Sequence, residues 1–92
     1  MHSTAYYNPL RIYQKNTVSI AAANNKKIIK VVFTGSNDTY IRTWSASDEA
    51  TCTISGSTMT WTNSGADSVT FTQTASAQAR ITKFTVTYTT NN

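Results

Sequence analysis

Residues 67–89, DSVTFTQTASAQARITKFTVTYT, alternate apolar and hydroxyl-bearing positions with a period of two. Val69 and Phe71 alternate with Thr70, Thr72 and Thr74. Ala79 and Ile81, then Phe84, Val86 and Tyr88, alternate with Thr85, Thr87 and Thr89. Side chains of a strand point to opposite faces in turn, so the pattern predicts two half-buried strands. The small residues between them predict a short connection and a closing hairpin. The apolar phase slips by one residue between Ile81 and Phe84, across Thr82 and Lys83. A β-bulge restores a common inward face after such a slip.

The same reading extends upstream. Pro9 discourages helix at Asn8, and residues 10–13 read as a short strand with Leu10 and Ile12 opposite Arg11 and Tyr13. Val18 and Ile20 alternate with Thr17 and Ser19, and Asn24-Asn25 is a turn signal because Asn tolerates the left-handed conformation. In residues 27–34, Ile29, Val31 and Phe33 line one predicted face, Ile28 and Val32 the other. A strand apolar on both faces belongs inside a sheet or under a covering loop. Gly35 to Asp38 is the next turn. Residues 39–45 read as a strand with Tyr40, Arg42 and Trp44 on one face and Ile41 and Thr43 on the other. After the loop ASDEA, residues 51–55 and 58–62 predict a hairpin about Gly56, with Cys52 and Ile54 facing Met59 and Trp61. Asn63-Ser64-Gly65-Ala66 reads as a turn. No stretch carries a 3.6-residue apolar period. The expected fold is all-β: one β-sandwich of jelly-roll type, with about eight short antiparallel strands separated by turn signals. It spans residues 1–92, with residues 1–8 expected to be a flexible or appended lead-in.

Composition sharpens this picture. Charged residues are only 13% of the 92, so the wet surface must be built largely from Thr, Ser and Asn. Thr is β-branched and suits strands. The net charge is +4, but its densest run is Lys26, Lys27 and Lys30, too sparse for a nucleic-acid stripe. Cys52 is the one cysteine, which excludes an internal disulfide and reads as a small buried hydrophobe. No apolar run approaches the roughly 20 residues of a membrane span. No secretory leader is visible, so either a signal left with the rest of a larger protein or the chain is made in the cytoplasm.

The strings PLRIY (9–13), KIIKVVFTGS (27–36), STMTWTNSGADSVTFT (57–72) and AQARITKFTVTY (77–88) resemble a β-sandwich module of secreted gut-bacterial proteins. In that family the module accompanies nucleases, glycan-degrading enzymes and surface lipoproteins. Two positions depart from its pattern: Asn63 stands where Gly is usual, and Trp44 where a smaller residue is common. The resemblance implies a sandwich fold and an accessory, glycan-contacting role at the cell surface or outside the cell.

Candidate chemistry is sparse. His2 is the one histidine, and the four acids, Asp38, Asp48, Glu49 and Asp67, lie in loops and turns. A glycosidase pair must face across a substrate about 5–10 Å apart, and these acids read as turn formers or solubilising charges, so no catalysis is expected. Sugar rings stack on aromatic side chains ringed by polar groups. Tyr40, Arg42 and Trp44, roughly 7 Å apart on one strand face, would suit successive glycan units. Alternatively, Tyr40 and Trp44 point into the core, and a buried Ile41 would decide for the outward placement. Arg11 and Tyr13 with Gln78 and Arg80 form a second constellation if first and last strands are neighbours. It suits hydroxyls, a uronate or a sulfate; a solvated face with arginines stacked on Tyr13 is the plain alternative. Trp61 is expected in the core. The Thr ladders at 58/60/62, 70/72/74 and 85/87/89 resemble ice-binding arrays, but a twisted sandwich lacks their flatness. No cofactor is required; Asn37-Asp38 and Asp67 are the positions where calcium would sit, although nothing in the spacing demands it.

The expected function is therefore a non-catalytic carbohydrate-binding module, with a polysaccharide partner and neighbouring domains of a larger chain. The alternative is a structural or adhesive module: a spacer, or a self-associating fibre- or capsid-type subunit.

Overall fold

Alternating strands bury their apolar faces only by stacking sheet on sheet, and this chain does so in two antiparallel layers. A computed structural model describes residues 2–22, 25–48 and 51–90. The described strands are β1 (His2–Ile12), β2 (Thr17–Ala21), β3 (Lys26–Gly35), β4 (Trp44–Ala46), β5 (Thr53–Ser55), β6 (Thr58–Ala66), β7 (Ser68–Gln73) and β8 (Ala79–Thr90). There is no helix among the described residues. One sheet has the order β1-β8-β3-β6-β5 and the other β2-β7-β4. Of the predicted turn and loop residues, Asn24, Glu49 and Ala50 lie outside the described residues, as does Met1.

The expected phase slip in β8 is present. Thr34 pairs with Lys83 but Gly35 with Ile81, which leaves Thr82 as the extra residue. Ala79, Ile81 and Phe84 consequently all face inward and are buried. First and last strands are neighbours, since β1 pairs with β8 along most of its length. β1 begins at His2, upstream of the start read at residue 10. Its register shifts between Tyr6 and Leu10, where Pro9 has no N–H to give a ladder.

Several expectations are corrected. β7 and β8 do not form a hairpin: β7 pairs with β2 and β4, β8 with β1 and β3, and residues 74–78 cross from one sheet to the other. Alternation specifies which face a residue shows, not which strand lies beside it. A bulge at Ile29 moves the phase of β3, so Ile28 is buried with Val31 and Phe33, while Ile29 is half-buried. The predicted turn at Asn63-Ser64-Gly65-Ala66 is instead the end of β6, which carries extra residues opposite Ile29. Ile54 pairs with Met59 as expected, but on the three-residue edge strand it is 40% exposed.

Phe33 joins the layers. Its ring meets Phe71 of β7 at 5.0 Å, Trp44 of β4 at 4.9 Å and Phe84 of β8 at 4.7 Å, each edge to face. Such pairs add about 0.5–1.5 kcal/mol beyond the area they bury. Trp61, fully buried as expected, packs edge-on against Phe71. Its indole N–H donates to Asp48 at 3.1 Å, and the Asn63 amide donates to the other oxygen of that carboxylate at 2.7 Å. Asp48, read from sequence as a loop charge, thus closes the polar edge of the core.

Candidate functional site

The site begins with a close approach. A Cβ on Gly35 would lie 2.9 Å from the backbone of Ile41, so only glycine lets the 36–43 segment fold back onto the end of β3. Asn37 shapes that segment, its Oδ1 accepting the amide N–H groups of Thr39 at 2.9 Å and Tyr40 at 3.0 Å. Ile41 then plugs into the core. Arg42 takes a positive φ of 60°, which turns the chain again. Trp44 consequently points inward too, 7% exposed, with its indole donating to the Ile41 carbonyl at 2.7 Å.

Residues 39–43 are therefore a turn rather than a strand, and the evenly spaced Tyr40, Arg42 and Trp44 row does not exist. The buried Ile41 does not carry Trp44 outward, because positive φ at Arg42 breaks the alternation that linked them. Trp44 is a core residue. Tyr40, half-buried, is laid against the start of β8, where its carbonyl accepts the Arg80 amide N–H at 3.0 Å.

This arrangement merges the two constellations. The Arg80 guanidinium carbon stands 4.3 Å from the Tyr40 ring centroid and that of Arg42 stands 5.2 Å from it. Arg42 Nε donates to the Gln78 carbonyl at 2.8 Å, and Arg80 Nε reaches the Gln78 side-chain oxygen at 3.4 Å. Arg11 is the cross-strand partner of Arg80, and it is exposed. Tyr13 follows just after the end of β1, 55% exposed. All three arginines of the chain thus gather at one end of the larger sheet. Among the described residues none of them has a carboxylate partner, although Asp38 is exposed in the neighbouring turn.

Sequence reasoning missed Gln73, which is fully buried. Its side-chain amide donates to the carbonyls of Ile12 at 3.2 Å and Ala77 at 2.6 Å, and its oxygen accepts the Ala75 N–H. One side chain therefore ties the end of β1 to the 74–78 connection that delivers Gln78 and Arg80. The signal was present: Gln73 is in phase with Val69 and Phe71, and a polar residue at an inward position must find internal partners.

The far end of the sheet differs. Lys26 lies over the Tyr88 ring at 4.6 Å, and Lys27 forms an ion pair with Asp67. A cleft of about 310 Å³ opens there between the sheets, lined by Ile20, Ala22, Ile28, Val86 and Tyr88 among others. Of the two positions considered for calcium, Asp67 holds Lys27 and the Asn37 oxygen holds two amides. Among the described residues no three of His, Cys, Asp and Glu are grouped as a metal site would need. Cys52 is half-buried against the core, and burial, with the Asp48 carboxylate adding to it, pushes its thiol up.

The chain matches no protein-family model, no curated protein and no solved structure.

Proposed function

We propose that the chain is a non-catalytic carbohydrate-binding module of a larger secreted bacterial protein, acting outside the cell or at its surface. The observation that carries this reading is the convergence of Arg11, Tyr13, Tyr40, Arg42, Gln78 and Arg80 at one end of the five-stranded sheet. Tyr13, just past the end of β1, offers an exposed ring for a pyranose face, and the guanidinium and amide groups around Tyr40 are held as hydroxyl readers. The resemblance of PLRIY, KIIKVVFTGS and AQARITKFTVTY to accessory modules of gut-bacterial proteins supports the same placement. A jelly-roll topology belongs to this reading, supported by the order β1-β8-β3-β6 facing β2-β7-β4.

Affinity electrophoresis against neutral and acidic polysaccharides tests it. At least one polysaccharide should retard the chain, and Tyr13→Ala should weaken that retardation roughly tenfold. Unchanged migration on every gel would refute it. A second reading, a self-associating structural or adhesive module, draws on Ile54, 40% exposed on edge strand β5. Sedimentation decides it: a stable oligomer lost in Ile54→Lys supports assembly, and a monomer at all concentrations excludes it.

A further inference from the structure

Resting on the glycan-binding reading, we infer that this face selects acidic glycans, with the Arg42 and Arg80 guanidinium groups receiving a carboxylate or sulfate of the sugar. Both heads are already held in place. Each lies against the Tyr40 ring, and each uses its Nε on Gln78. Their terminal Nη nitrogens have no acceptor among the described residues, so the part of the fork that grips an oxyanion is left open. A rigidly held fork loses less side-chain entropy on binding than a free one.

Charge points the same way. Arg11 sits directly across from Arg80 in the ladder, and like charges directly opposite are unfavourable. Arg42 adds a third positive charge over the same tyrosine. Arginine does not shed its proton to relieve this crowding, so a bound anion is what offsets it.

Two of the chain's five lysines are engaged away from this cluster. Lys26 and Lys27 lie at the other end of β3, one on Tyr88 and one on Asp67. Lys83, opposite Thr34, and Lys15, whose amide N–H meets the Gln73 carbonyl, lie toward the arginine end, so the held planar forks, not an absence of other cations, are what favour a compact acid group over a phosphate backbone. Tyr13, exposed two residues after Arg11 in the chain, is the ring surface for the sugar in this reading.

Isothermal titration of the chain tests the inference with polygalacturonate, its methyl ester, dextran sulfate, dextran and a single-stranded oligonucleotide. Polygalacturonate or dextran sulfate should bind at least about tenfold more tightly than its neutral counterpart. Which of the two binds separates carboxylate from sulfate. Arg42→Gln and Arg80→Gln should each lower that affinity about tenfold, and Arg80→Lys should recover only part of it, since ammonium is a point charge and not a fork. Arg11 is exposed and forms no side-chain hydrogen bond or ion pair among the described residues, so Arg11→Gln tests the charge term and should weaken binding of the acidic polymer, whereas Lys30→Gln should change nothing. If methyl-esterified polygalacturonate binds as tightly as the acid, or dextran as tightly as dextran sulfate, charge selection is wrong while glycan binding stands. If no polymer binds, both fail. Tighter binding of the oligonucleotide than of either acidic polymer overturns the inference in favour of a phosphate backbone.

Discussion

The two ends of the larger sheet use the same ingredients to opposite effect. At each end a cation lies over a tyrosine ring: Arg80 and Arg42 over Tyr40, Lys26 over Tyr88. At the lysine end the neighbouring charge, Lys27, is neutralised by Asp67, and the surface beside it is an apolar cleft. At the arginine end the three guanidinium groups meet no carboxylate among the described residues, and the surface is polar and aromatic. A cation on an aromatic ring is common on proteins and says little alone. What separates a binding surface from a stable decoration is whether the protein has already supplied the counter-charge.

Both ends hang on the same interior, which gives the largest expected effect. Phe33 contacts rings of β4, β7 and β8, so Phe33→Ala opens a void between the sheets. It should cost about 3–5 kcal/mol, a large part of what a domain this small has to spare. Chemical unfolding measures it. The loss should be felt equally at Tyr40 and Tyr88 by tyrosine-ring NMR; a selective effect on one end would show that the ends are not carried by a shared core.

Gln73→Ala separates them. It removes the donors to Ile12 and Ala77 and the acceptor for Ala75, all at the arginine end. Leaving such buried groups unmet costs about 1–3 kcal/mol. Amide hydrogen exchange should accelerate in residues 74–78 and at Arg80, while Ile28 and Val86 at the lysine end keep their protection. Uniform acceleration would show that Gln73 holds the whole sandwich, not this end.

How much of this contrast is legible in the sequence depends on what kind of constraint each residue is under. The bulge at Thr82, the burial of Trp61 and the adjacency of β1 and β8 follow from phase and topology, and each was readable. The residue types of the arginine end were readable as well, but as two separate groups. Their merger depends on Gly35 admitting the Ile41 backbone and on positive φ at Arg42. Neither leaves a periodic trace: alternation continues on paper through residues 39–45 although the chain turns there. Trp44 was misplaced for that reason. The β7–β8 partnership failed for another, because equal patterning in consecutive strands does not reveal that they belong to different layers.

The smallest expected effect is the sharpest test of the contrast itself. Asp67→Asn removes the carboxylate from Lys27 and gives the lysine end an unpaired cation beside Lys26 and Tyr88. Asp67 is 83% exposed and Lys27 32%, so water already screens the pair, and its loss should cost less than about 1 kcal/mol. If an unmatched positive charge near a tyrosine were all that anion selection required, the variant would acquire affinity for polygalacturonate at this second end. Geometry argues that it will not: two ammonium groups on long stems are point charges and present no planar fork. Titration of the Asp67→Asn, Arg80→Gln double variant reads this directly. No recovery of binding means that orientation, in addition to charge, distinguishes the arginine end; recovery toward the parent affinity would reduce that end to simple charge.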